Sequence, residues 1–432
     1  MLPKQPKGLL SLSIAAALSL SGFALSTAPV SADAFTDALT GGKVKMDVRL
    51  RYEDVEDDTA GRRDADLLTV RTRLGYQTAS FSDFDAFVEM ENITAIGDDN
   101  DANTGSGTNN WGNGNSTYAT IADPEGTELN RYWLGYNGFA DTVVRVGRQR
   151  IKLDNDRFIG NVGWRQNEQT YDSFTLTNNS LSCTTFFYAY ITEVNGIRGQ
   201  NDDMDSHLIN VSYSGLEFGK LVGYGYFLDY DEESGKEANS QRTLGLRFKG
   251  AADMSKDVEL LFMAEYAQQD DYKDGADGSA KFTHTLDGTS SDIDYDYKLL
   301  KLGVRVAGIK AVLGYEALEG DRNGAFQTPL ATLHGQNGWA DMFLTTPDHG
   351  LEDRSITLST KIGGVKLKAA YHDYEAESGG RATGSDYGDE WNFVAKKKFG
   401  KHYTVLAKYA SYSADDYKED MDKLWLQAGF KF

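Results

Sequence analysis

No stretch of residues 33–432 holds the roughly 20 consecutive apolar residues that a membrane-crossing helix requires, yet segment after segment of about ten residues alternates apolar and polar side chains. In Val44 to Tyr52, one parity carries Val44, Met46, Val48, Leu50 and Tyr52, and the other carries Lys45, Asp47, Arg49 and Arg51. A period of two puts these sets on opposite faces of a sheet. The pattern recurs over residues 68–77, 242–249, 356–362 and 365–371. Such a chain builds either a β-sandwich or a transmembrane β-barrel.

The connections separate these two folds. Eighteen alternating runs are centred near residues 48, 72, 89, 132, 146, 171, 187, 209, 225, 245, 263, 301, 314, 357, 370, 393, 408 and 427. Eight connections are short, for example Gly363-Gly364 and Gly400 to His402, and the nine that alternate with them are mostly longer and polar. The longest lie near 97–126, 270–294 and 320–350. An even-stranded outer-membrane barrel has this alternation, with short periplasmic turns, long external loops and both termini in the periplasm. The expected fold is therefore all-β: one transmembrane antiparallel barrel of about 18 strands over residues 33–432. The run over Arg165 to Asp172 is too polar to define its strand cleanly. Aromatic residues beside the short turns (Tyr76, Tyr136, Phe139, Tyr213, Phe218, Phe248, Phe399, Tyr403) fit an interfacial girdle. The last strand ends on Phe432, as the assembly signal read by the barrel-assembly machinery would.

Composition agrees. With 45 Gly, 24 Tyr and 21 Phe, the chain favours short aromatic strands over helices. Lys4 and Lys7, the apolar run Leu9 to Leu25 and the small residues Val30-Ser31-Ala32 read as a signal peptide, residues 1–32, for export to the outer membrane of a Gram-negative bacterium. Lipid and lipopolysaccharide are then the expected surroundings. The formal net charge of -21 argues against a nucleic-acid partner. Cys183 stands alone and reads as a small strand residue.

With the apolar parity facing lipid, the lumen receives nineteen bases, among them Arg49, Arg51, Arg71, Arg73, Arg131, Arg145, Arg305, Lys366 and Lys368, against ten acids. The excess acid lies in the long loops. The pairs Arg49/Arg51 and Arg71/Arg73 form a ladder on adjacent strands, suited to carboxylates. One reading is a basic pore for anionic saccharides, in which replacing Arg71 and Arg73 by Ser leaves conductance intact and lowers anion preference. The other is that the bases fill a wet interior, neutralised by Glu89, Glu91 and their neighbours.

Leu50 to Val55, Arg71 to Tyr76, Val146 to Arg150 with Gly163 to Gln169, and Ala331 to Asp341 together resemble the alginate-export family of outer-membrane barrels. The resemblance implies an eighteen-stranded barrel with an arginine-rich constriction that passes an anionic uronate polymer or oligomer. It also implies that Arg148, Gln149, Arg165, Gln166 and Gln169 are constriction or solute contacts. Arg148 shares parity with lipid-facing Val144 and Val146, so either a bulge intervenes or it lies at the external rim.

Other chemistry finds little support. Asp99 to Asn103 begins like a calcium loop, but Thr104 replaces the required Gly and Asn110 the closing Glu. No dedicated metal site or cofactor is expected, only diffuse divalent-cation binding by the acidic external loops. Nucleotide, hydrolase and metalloprotease motifs are absent, so no enzyme is expected. A general porin of weak selectivity is the alternative function, with a barrel-embedded enzyme or a soluble lectin-like sandwich behind it. Residues 326–348, broken by Thr328-Pro and Thr346-Pro, either fold inward as a constriction or form an external loop.

Overall fold

The computed structural model describes residues 32–97, 101–105, 111–231, 234, 236–273, 293–321, 324–378 and 385–432. Residues 1–31, which carry the expected signal peptide, lie outside these, as does most of 270–294 and the start of the candidate calcium loop at Asp99. A nine-residue helix, α1 (Ala32–Thr40), leads into the sheet. Eighteen strands follow: β1 (Lys43–Asp57), β2 (Ala65–Gln77), β3 (Phe84–Ala95), β4 (Gly126–Phe139), β5 (Thr142–Gln149), β6 (Thr170–Asn178), β7 (Thr184–Asn195), β8 (Asn201–Leu216), β9 (Gly219–Leu228), β10 (Gln241–Ser255), β11 (Val258–Asp271), β12 (Asp294–Val306), β13 (Ile309–Leu318), β14 (Leu351–Ile362), β15 (Val365–Glu375), β16 (Asp386–Phe399), β17 (Tyr403–Ser413) and β18 (Met421–Lys431). Each pairs antiparallel with its chain neighbours, and β1 pairs with β18 from Asp47↔Lys431 to Asp57↔Met421. The sheet is a closed barrel, which satisfies the backbone groups that an open edge would leave unpaired in lipid.

All eighteen expected strands are present, and the parity assignment holds. Val44, Leu50, Leu74, Leu246, Leu313 and Leu358 are exposed on the outer surface, while Arg51, Arg71, Arg73, Arg247 and Lys408 of the opposite parity are buried inside. Phe139, Tyr213, Phe218, Phe399 and Tyr403 stand exposed beside the short turns.

Three details differ from the sequence reading. The strand expected near Arg165 to Asp172 starts only at Thr170; Arg165 to Gln169 belong to the preceding connection. The connection 196–200 is as short as several turns at the opposite end, because β7 and β8 continue their pairing to Asn195↔Asn201. Cys183 sits in the β6–β7 turn at φ 56°, not in a strand; its carbonyl accepts from Ser214 N there.

Candidate functional site

Long connections turn into the barrel, among them the β3–β4 connection, whose Asp123 pairs with Arg51 at 3.3 Å. Residues 150–169, between β5 and β6, and the described part of 319–350, between β13 and β14, meet inside it. Gly160 N donates to Leu330 O at 2.8 Å, Thr332 N to Asp156 O at 2.9 Å, and Val162 N to Thr332 Oγ1 at 3.0 Å. Residues 326–348 therefore fold inward, the first of the two arrangements open from the sequence. Their apolar side chains make this possible. Phe326, Leu330, Ala340, Met342 and Phe343 are buried against lumen-facing Tyr297, Tyr374, Tyr387 and Tyr412. At Gly338, φ is 85° and an added Cβ would lie 2.2 Å from Glu390 Oε2. Only glycine fits there, and the turn lets Trp339 N and Ala340 N both donate to the Glu390 carboxylate.

The arginine ladder holds this plug. Arg49 Nη1 donates to the carbonyls of Trp164 (2.9 Å) and Arg165 (3.0 Å), and its Nη2 to Gly163 O (3.1 Å). Arg51 Nη2 donates to Trp164 O at 2.6 Å, and Arg71 and Arg73 both reach Gln166 O. Arg49 and Arg71 lie directly opposite across the β1–β2 pair, a repulsive placement. The successive loop carbonyls at 163–166 and Asp47, 2.8 Å from Arg71 Nη2, offset it. Arg71 and Arg73 thus line the lumen and also donate to the inward loop, so replacing them by Ser would remove contacts of the plug as well as two charges.

Carboxylates delivered by the loops complete the network. Glu168 accepts from Asn130 Nδ2 (2.9 Å), Arg150 Nε (2.7 Å) and Asn161, with Arg73 Nη1 at 3.2 Å. Burial alone would raise its pKa, but Arg73, Arg150 and Arg131 outweigh burial and hold the carboxyl far below the ordinary range. A register shift between Glu89 and Met90 turns both Asn130 and Arg131 inward, so that both reach Glu89. Arg165 is clamped between Glu53 (3.0 Å) and Asp341 (3.1 Å). Asp341 also holds His334 Nδ1 at 2.7 Å, leaving Nε2 to accept from Lys408 Nζ. The Lys408 ammonium lies 4.0 Å from the Trp164 ring and 3.9 Å from the Trp339 ring, and the His334 ring stacks on Trp164 at 4.4 Å.

The residues singled out from the sequence thus divide. Arg49, Arg51, Arg71, Arg73, Arg131, Arg165 and Gln166 converge on the plug. Gln166 Nε2 donates to Thr69 Oγ1 (2.7 Å), Gln169 Nε2 to Gly160 O and Leu330 O, and Gln149 Nε2 to Ser173 O. Arg145 faces inward over the Trp133 ring. Arg148 does not face the lumen. The β4–β5 register is unshifted at this point, so Arg148 stands opposite outward-facing Tyr132 at the long-loop end of its strand and pairs with Asp172 (2.7 Å) and Glu193 (3.0 Å). No bulge intervenes.

Two recesses are rich in basic side chains. One, of about 490 Å³, is lined by Lys45, Arg49, Arg73, Arg131, Arg150, Lys152 and Lys431 against Asp47, Glu89 and Glu168. The other, of about 550 Å³, is lined by Arg305, Lys310, Lys361, Lys366, Lys368 and Lys396 and by no carboxylate. Here Lys361, Lys366 and Lys396 stand directly opposite one another across β14, β15 and β16. Of the six bases only Arg305 has an ion pair among the described residues, with Glu259. Parity alone places these lysines inside but does not show that Lys361 and Lys396 flank Lys366. The two-residue Gly363-Gly364 turn encodes the Lys361↔Lys366 part of that register, and the β15–β16 pairing adds Lys396. The nineteen-to-ten count also left out Asp123, Glu168 and Asp341, which loops bring inside. Among the described residues no cluster of three His, Cys, Asp or Glu could hold a metal ion.

Comparison with known proteins agrees with this architecture. The solved structure of OccAB4 from Acinetobacter baumannii superposes with a TM-score of 0.68 at 14% identity, covering 90% of this chain and 98% of that one. OccD3 (OpdP) of Pseudomonas aeruginosa gives 0.66 at 15% identity, covering 94% and 95%. OpdK of Pseudomonas aeruginosa, solved with vanillate, gives 0.67 at 12% identity, covering 91% and 99%. At such identities the likeness is one of fold. No curated protein matches the sequence. A family model described as alginate export matches residues 42–336, more than half of the chain, across the ladder, the inward loop at 150–169 and the first half of the one at 319–350. The chain belongs to the alginate export family.

Proposed function

We propose that this barrel is an outer-membrane diffusion channel for carboxylate-bearing saccharides of the uronate type, selected by the lysine-lined side of the lumen. The observation that carries this reading is the recess with six bases and no lining carboxylate. Opposed lysines on neighbouring strands repel by about 0.6 kcal/mol per pair in a water-like dielectric at ~7 Å. A solute anion that bridges them removes that repulsion and gains charge-assisted hydrogen bonds. The arginine side, by contrast, is held by loop carbonyls and buried carboxylates and serves as scaffold. Family membership and the OpdK structure solved with vanillate, itself a carboxylate, support an anionic solute. The short-turn end is taken as periplasmic, and residues 1–32 as a cleaved signal peptide.

A bilayer recording under a potassium chloride gradient tests this. The wild-type channel should prefer chloride, and the Lys361→Ser, Lys366→Ser, Lys396→Ser triple variant should lose most of that preference while keeping its conductance. Block by an oligouronate should weaken in parallel. A wild-type channel that prefers potassium would overturn the proposal.

A further inference from the structure

Helix α1 carries a face that the barrel does not cover. At 100° per residue, Ala34, Phe35, Ala38 and Leu39 lie on one side, and Asp33, Thr36, Asp37 and Thr40 on the other. Ala38 is buried, yet Phe35 is 50% and Leu39 45% exposed. The helix is fixed in place. Ala79 N donates to Ala38 O at 3.0 Å, the Tyr76 hydroxyl donates to Leu39 O, and Gly42 N donates to that same hydroxyl at 3.0 Å. Tyr76 stands in register with Val44 on one side and Val88 on the other, both exposed on the lipid-facing surface. The helix therefore hangs from the outside of the barrel, at the short-turn end. Phe35 packs edge-on against Phe81 at 5.3 Å, and Phe81 bridges to Phe84, which begins the aromatic run Phe84–Tyr136–Phe139. The apolar face of α1 is thus continuous with the girdle of the lipid-facing band.

We propose that α1 is an interfacial helix that lies in the phospholipid leaflet at the short-turn end, with Phe35 and Leu39 inserted among acyl chains and Asp33 and Asp37 toward water. The occupant of this face is lipid, because the face extends a surface that already meets lipid and because burying Phe35 and Leu39 among acyl chains removes their apolar area from water. The proposal rests on the barrel's seat in the bilayer and not on what passes through the lumen.

The test uses the full chain with Cys183→Ser, in vesicles of phosphatidylethanolamine and phosphatidylglycerol. A fluorophore is placed at Phe35→Cys, Asp37→Cys or Leu39→Cys in separate variants. Quenching by nitroxide-bearing lipid should be at least threefold stronger at 35 and 39 than at 37, with the order reversed for aqueous iodide. Amide exchange over residues 36–41 of the unlabelled chain reports independently whether the helix is formed in vesicles. A formed helix with equal quenching at all three positions would overturn the proposal, and so would an unprotected, unformed segment.

Discussion

Glu168→Ala is the sharpest test of the view that arginines seat the inward loop. The carboxylate is fully buried and gathers donors from β2 (Arg73), β4 (Asn130) and the loop itself (Arg150, Asn161). Its removal takes from Arg150 its ion pair and leaves Arg73 paired with Glu91 alone, and a buried pair that loses one member costs about 3 to 5 kcal/mol. The basic recess of about 490 Å³ borders Glu168, Arg73 and Arg150, so water can reach the stranded donors and the low end of that range applies. About 3 kcal/mol raises the ratio of released to seated loop roughly 150-fold. Single-channel records should then show frequent excursions to a larger conductance, and limited proteolysis should cut within residues 150–169. Acid should do the same to the wild type. A carboxyl whose pKa is depressed in the folded protein stabilises it above the unfolded value, near 4.3, and loses that contribution as pH falls below it. Seating should persist at pH 5 and fail only in stronger acid. Unchanged conductance, noise and protease resistance in the variant would refute the argument.

Further outcomes follow from other parts of the barrel. Leu246, 55% exposed on the outer face of β10, should cost about 2 to 4 kcal/mol when changed to Arg in a bilayer, measured by equilibrium unfolding in lipid. Deleting Phe432 should impair membrane insertion in cells more than refolding in detergent. Its backbone exchanges two hydrogen bonds with Met46, but its ring is 55% exposed, so equal impairment would leave only a packing role. Gly338→Ala should unseat the inward loop at 319–350, since φ of 85° and the contact with Glu390 both exclude a side chain; the readout is increased single-channel conductance without loss of the barrel's heat resistance.

What the sequence reveals here follows from geometry. Alternation has a period of two, and a strand whose outer side meets lipid cannot slip by one residue without placing Arg49 or Lys366 in hydrocarbon. The strands and their faces are therefore legible. Loop paths are not, because nothing periodic governs them. Residues 150–169 are polar enough to pass for an external loop, and their inward course depends on main-chain carbonyls at 163–166 that meet arginines more than 90 positions away. The same limit hid the partners of Arg165 and the inward turn of Asp341. Arg148 illustrates the converse: its parity placed it outward, and that local rule proved sounder than its place in a motif.

The seam between β1 and β18 sets the order in which such a barrel can form. Every other strand pair joins chain neighbours, whereas Asp47↔Lys431 and its successors join residues nearly the whole sequence apart. Bringing those ends together costs about 5 kcal/mol in chain entropy for a flexible segment of that length. Contacts so distant in sequence are slow to find. Hairpins can assemble as they emerge, but the cylinder cannot shut until the final strand exists, so closure comes last and depends on synthesis having finished. Until then both terminal strands present open edges. An incomplete copy keeps at least one of them, ready to pair with any neighbour.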